Sequence, residues 1–167
     1  MSNKYLNKYR IPSARLQSWD YSNNGAYFIT ICTKSRKHYF GKILKGEMQL
    51  SDIGKLAVQF WLEIPNHFQS VELGNFVVMP NHVHGILIIN SNLRSQKEQF
   101  SASTISTMVG SYKSIVTKMS RQKNTDFGWQ SRFHDHIIRN SESYERIQNY
   151  IENNPANWKE DAFFSML

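Results

Sequence analysis

Two stretches of this chain repeat apolar residues at helical spacing almost without interruption. Residues 52–64 place Ile53, Leu56, Ala57, Phe60, Trp61 and Ile64 on one stripe. Residues 104–119 do the same with Ile105, Met108, Val109, Tyr112, Ile115, Val116 and Met119. Both follow the i, i+3, i+4, i+7 pattern of a helix that buries one face. Such helices need an apolar surface to pack on, and four strand-like runs supply it. Residues 26–33 are β-branched and aromatic and follow the turn signal Asn23-Asn24-Gly25. Residues 39–50 read as a short hairpin around Lys45-Gly46, and the apolar runs 74–79 and 82–89 flank Pro80-Asn81. A third helix is expected at about 141–154, with Asn140 and Ser141 as cap residues and Pro155 as its stop. The polar stretch 90–103 reads as a loop. This order predicts an α+β layer: one mainly antiparallel sheet, helices packed on one face, the other face open. An open sheet face is a common platform for single-stranded nucleic acid.

The 167 residues fit one domain, 1–167, with 1–17 as a basic N-terminal arm. At 40% hydrophobic and 13% aromatic residues, wholesale disorder is excluded. Lys and Arg number 20 against 13 acids, a formal net charge of +7. That excess favours a polyanion, nucleic acid first and an acidic membrane surface second. Lys4, Lys8 and Arg10 are interleaved with Tyr5 and Tyr9, which suits phosphates on cations and bases on rings. A second basic region carries Lys113, Lys118, Arg121, Lys123, Arg132 and Arg139 against only Asp126 and Asp135. The single cysteine, Cys32, excludes an internal disulfide framework and suits a reducing compartment. No run approaches the roughly 18 apolar residues of a membrane span, and the N-terminus lacks a secretory h-region. The expectation is a cytoplasmic protein.

The sharpest local signal is Met79-Pro80-Asn81-His82-Val83-His84-Gly85. On a strand His82 and His84 share a face, and two imidazoles so placed can chelate one cation. Gly85 leaves room for a close backbone approach or a ligand. Two ordinary histidines, each satisfied by a carbonyl or water, would look the same. His134 and His136 form a rival pair. In the last helix Tyr144, Ile147 and Ile151 make the apolar stripe. Tyr150 falls roughly 100° from it, and Asn154 lies one turn further on the same flank. That geometry would let Tyr150 attack while Asn154 completes a ligand set; on this helix alone, an edge-of-core tyrosine before a helix C-terminus is the favoured reading. Tyr112 is a weaker candidate, because its helix puts it on the buried stripe.

Taken together, these residues resemble the REP-associated tyrosine transposases, of the single-tyrosine class named for a His-hydrophobic-His (HUH) motif. The resemblance runs from about residue 18 to 163. It rests on Asp20-Tyr21-Ser22 through Tyr27-Phe28-Ile29-Thr30, on Val78 to His84, on Trp129-Gln130-Ser131-Arg132-Phe133 through Asn140, and on Tyr150-Ile151-Glu152-Asn153-Asn154-Pro155. It implies a ferredoxin-like (RRM-like) core, with a C-terminal helix carrying the catalytic tyrosine. It implies His82, His84 and Asn154 as ligands of Mg²⁺ or Mn²⁺, and Tyr150 as the nucleophile toward single-stranded DNA hairpins of palindromic repeats. The intermediate would be a 5′-phosphotyrosine, with no nucleotide cofactor. Two imidazoles and an amide would by softness suit Mn²⁺, Co²⁺ or Zn²⁺ better than Mg²⁺. The resemblance leaves open a monomer or a homodimer that exchanges the tyrosine helix. Two further readings stand beside it: a domesticated, catalytically inactive single-strand-binding protein, and a phosphoesterase with a water nucleophile. The expected DNA contacts are Lys4, Lys8, Arg10, Lys113, Lys118, Arg121, Lys123, Arg132 and Arg139.

Overall fold

The long apolar runs meet in one four-stranded sheet, seen in a computed structural model that describes residues 24–94, 96 and 104–165. Near the N-terminus it gives backbone pairing alone, between β1 (Lys4–Tyr5) and β2 (Lys8–Tyr9). The side chains of Lys4 and Lys8, and all of Arg10, lie outside the described residues. β3 (Gly25–Cys32) leads into a hairpin of β4 (Gly41–Leu44) and β5 (Glu47–Leu50). Then come α1 (Asp52–Leu62), α2 (Ile64–His67), β6 (Val71–Met79) and β7 (His82–Ile89). α3 (Ile105–Ser120), β8 (His134–Ile138) and α4 (Ser141–Asn153) complete the order. The sheet runs β6-β7-β3-β8, with every neighbour antiparallel. β3-α1-β6-β7-α3-β8 is therefore the split βαβ arrangement of a ferredoxin-like fold.

The helices begin where side chains can satisfy the first free amides. Ser51 accepts from the Gly54 amide at 3.0 Å, Thr104 from Thr107 at 3.3 Å, and Asn140 from Ser143 at 2.7 Å. The hairpin turns on Lys45 and Gly46, both left-handed at φ 52 and 77, as a two-residue turn of the I′ type requires.

Strand alternation gives the sheet two different faces. Tyr27, Ile29 and Ile31 of β3, with Val83 and Leu87 of β7, pack against the buried stripes of α1 and α3. The opposite face is not left bare, as the order of elements suggested it would be. A smaller cluster of Ile86, Ile138, Ile147 and Ile151 seats α4 there. Sequence pattern does not mark β8 as a strand; it reads His134-Asp135-His136-Ile137-Ile138, with only the last two residues buried, and pairs along β3 from Ala26↔Ile138 to Thr30↔His134. No helix among the described residues is long and apolar enough to cross a membrane.

Gly85 owes its lack of a side chain to the helix layer. A Cβ there would collide with the buried indole of Trp61 from α1, so the space belongs to the core and not to a ligand. Gly85→Ala should cost about 1–3 kcal/mol by overpacking. Urea unfolding of the two forms measures it, with wild-type-like stability as the contrary result.

Candidate active site

The register of β7 on β3 builds the site. Cys32 pairs with His82 and Thr30 with His84, so both imidazoles rise on the face opposite α1 and α3. Their ring centroids stand 4.3 Å apart, and both residues are almost fully buried. His82 Nδ1 lies 2.8 Å from Asn81 Oδ1, an oxygen that can only accept. The proton therefore sits on Nδ1, and Nε2 carries the lone pair. That Nε2 is buried without a hydrogen-bond partner, and so is Asn154 Oδ1. Two buried acceptors left unsatisfied are costly unless a cation or donor meets them. His84 Nδ1 is 2.8 Å from the Thr30 hydroxyl, a partner of the kind that orients a metal-binding imidazole.

α4 brings the phenol to the same place. Ile147 and Ile151 are buried, while Tyr150 on the adjoining flank is 40% exposed. Its hydroxyl lies 3.3 Å from His84 Nε2, and its ring stands edge-on to Phe28. Tyrosine and histidines thus meet within one chain. Asn154, buried at the end of α4, donates from Nδ2 to Asp161 Oδ2 at 2.6 Å. The same Oδ2 accepts from the Tyr150 hydroxyl at 2.9 Å, and Oδ1 accepts from the Phe163 amide at 2.7 Å. Ligand atoms of His82, His84 and Asp161 all fall within 4.8 Å of one another. No sequence pattern marks Asp161, which follows Pro155 in an aperiodic segment.

That segment folds back over the histidines. The Phe163 ring is 4.8 Å from that of His82 and 5.5 Å from that of His84, and Asn81 Nδ2 donates to the Phe163 carbonyl. Arg36 likewise carries no sequence signal. Its backbone and that of Ser35 are left-handed, both at φ 54, a costly state for non-glycine residues. Its guanidinium lies 5.5 Å from the Phe163 ring centre.

Burial governs the electrostatics. Desolvation holds His82 down to about 3, a shift that Asn154 opposes and the Arg36 charge adds to. His84 is also held well below its usual value by burial and then by His82, against the pull of Asp161. Both rings are neutral near pH 7, the form that binds metal. Burial, then the hydrogen bond to Asp161 and its charge, pushes the Tyr150 phenol up to about 12. Burial likewise raises the Cys32 thiol to about 11, which keeps it an inert thiol.

The other expected contacts divide. Lys34, Lys113, Lys118 and Arg121 surround an open groove of about 800 Å³ that Trp129 also lines. Within it, Lys113 Nζ donates to the Gln130 carbonyl at 2.8 Å and Arg121 Nε to that of Phe127 at 3.1 Å. Lys123 sits elsewhere, 3.6 Å from the Asp52 carboxylate. Arg132 and Arg139 are exposed on either side of β8. The rival pair His134 and His136 is exposed on that strand and joins no metal-competent cluster among the described residues. Tyr112 is buried, donating to the Ala57 carbonyl at 3.0 Å.

Between about pH 6.5 and 3 the unfolded chain protonates His82 while the folded chain does not, so stability falls as pH falls. For His82 alone the loss by pH 5 is about 2 kcal/mol in chelator-treated protein. Urea midpoints at pH 7.5 and 5 measure it; the reverse trend would mean that the buried ring is charged.

No protein-family model matches the chain. An uncharacterized protein of Haemophilus influenzae Rd is 36% identical over 165 residues, covering 91% of this chain and 92% of that one. Among solved structures, a REP-associated tyrosine transposase bound to a REP hairpin superposes with a TM-score of 0.64 at 21% identity, covering 89% of this chain and 74% of that one. A crystal structure from Deinococcus radiodurans R1 gives 0.51 at 16% identity, over 84% of this chain and 97% of that one. The chain belongs to one family with the Haemophilus protein, and its fold is that of the REP-associated tyrosine transposase.

Proposed function

We propose that the chain is a metal-dependent endonuclease and strand-transferase for single-stranded DNA, acting on hairpin-forming repeats through a 5′-phosphotyrosine intermediate. One observation carries the reading: the Tyr150 hydroxyl stands 3.3 Å from His84 Nε2, beside the two unsatisfied acceptors His82 Nε2 and Asn154 Oδ1. Neither an edge-of-core tyrosine nor a pair of satisfied histidines accounts for that convergence. The transposase of like fold, solved on a REP hairpin, supports the DNA substrate class.

The chemistry follows from the groups in place. Tyr150 Oη attacks a DNA phosphorus; the P–Oη bond forms as the P–O3′ bond breaks. The phenol proton passes to Asp161 Oδ2, which already receives its hydrogen bond. The 3′-oxygen leaves and takes a proton from solvent. A 3′-hydroxyl attacking the phosphotyrosine later rejoins a strand, so the bond energy is conserved and no nucleotide cofactor is required. A divalent cation held by His82 Nε2, His84 Nε2 and Asn154 Oδ1 would polarise the scissile phosphate and stabilise the departing oxygen. The Asp161 carboxylate beside these donors adds the anionic oxygen character that suits Mg²⁺ or Mn²⁺, Mn²⁺ being the tighter. Because Tyr150 reaches the histidines of its own chain, a monomer suffices for the site.

Incubated with a hairpin oligonucleotide and Mn²⁺, wild-type protein should form a covalent DNA adduct visible on a denaturing gel. Tyr150→Phe should form none, and EDTA should abolish the wild-type adduct. An adduct with Tyr150→Phe would refute the nucleophile. Hairpin binding without cleavage in any metal would leave a binding protein, and cleavage without an adduct a water-using phosphoesterase.

Lys34 and Lys118 are exposed at the mouth of the basic groove, and we assign them phosphates of the hairpin stem. Replacing either by Gln should flatten the plot of log affinity against log salt by about 0.9. An unchanged slope would place the stem elsewhere.

A further inference from the structure

A second cleft, of about 650 Å³, opens between the β4–β5 hairpin and the segment after Pro155. Its volume lies within the range that encloses small organic ligands. Lys42, Lys45 and Lys159, all exposed, stand at its wall against one acid, Glu160. Its floor is aromatic. The half-buried Phe164 ring lies 5.3 Å from Trp158, and the Trp158 ring lies 6.0 Å from that of His82. One buried indole therefore has the candidate metal site on one side and this cleft on the other.

The turn geometry aims the charge. Lys45 and Gly46 form the left-handed tip, and a Cβ on Gly46 would come 3.5 Å from Ala156. The hairpin tip and the segment after α4 are thus in near contact, which brings Lys42 and Lys45 to the same cleft as Lys159 and Phe164. Cations along a groove with a ring at its base are what an unpaired nucleotide binds: phosphates on the ammonium groups, base on the π-face. Neither a duplex stem nor an apolar peptide explains both features. The stem has no free base face, and the peptide has no use for three lysines.

We propose that this cleft seats an unpaired nucleotide of the DNA strand that passes through the candidate active site. The inference rests on the DNA-cleaving reading above and adds a place where the single strand beside the hairpin is gripped. Arg36, on the active-site side of Phe163, would lie along the same strand path.

Hairpin oligonucleotides carrying single 5-iododeoxyuridines at successive unpaired positions provide the test, with photo-crosslinked peptides identified by mass spectrometry. One position should crosslink to Phe164 or Trp158. A double variant, Lys42→Gln with Lys45→Asn, keeps the fold because both lysines are exposed and Asn tolerates φ 52. It should weaken binding of the flanked hairpin about tenfold, as loss of phosphate contacts does. Binding of the bare hairpin without flanks should not change. Crosslinks confined to Trp129 would move the single strand to the other groove and overturn the proposal, as would equal weakening of flanked and bare hairpins. If the wild-type chain retains no DNA at all, the DNA reading itself falls, and the cleft with it.

Discussion

The pairing of β7 with β3 decides everything downstream. A shift of one residue in an antiparallel ladder moves each side chain to the other face of the sheet. His82 and His84 would then enter the helix layer, and Val83 and Gly85 would replace them at the site. The register is held from the helix side, where Trp61 needs the bare backbone of Gly85 and no other residue of β7 offers it. The same contact that fills the core thus chooses which residues face the candidate site. Structure and function are joined here by one steric fit.

The site exists in tension because it collects acceptors without enough donors. Two neutral imidazoles, an amide oxygen and a carboxylate converge beneath Phe163, yet His82 Nε2 and Asn154 Oδ1 have no partner. Burial suppresses protonation of the rings, which would otherwise relieve the shortage. A cation held there would reverse each of these costs at once, because it would satisfy the lone pairs and offset the carboxylate. It would also lower the cost of ionising Tyr150, whose raised pKa reflects desolvation and the Asp161 charge.

The parts legible in sequence were those with a period. The stripes of α1 and α3 lie in the core as their spacing requires, and the α4 stripe correctly left Tyr150 and Asn154 outside it. The His-x-His pair was legible because alternation on a strand is strict. Asp161 was not, since nothing periodic connects it to α4; it is returned to the site by hydrogen bonds from Asn154, Tyr150 and the Phe163 amide. Gly85 was misread for a related reason. Its neighbour, Trp61, is distant in sequence and on the other face. β8 was overlooked because exposed histidines interrupt its apolar pattern, and its strand state depends on pairing with β3.

The division of labour between the two faces explains how α4 can carry the half-exposed Tyr150. α1 and α3 bury long apolar stripes, so they anchor the sheet without help. α4 buries Ile147 and Ile151 with Tyr144 partly buried beside them, too little for a helix of its length to stand alone in water. Its position is completed by polar ties: Asn75 Nδ2 donates to Glu152 at 2.6 Å, and Asn154 holds Asp161. The second of those ties ends in the candidate site itself. In the proposed reaction, a cation or phosphate entering the site would therefore also act on the helix that brings the phenol, and would couple ligand binding to the placement of Tyr150.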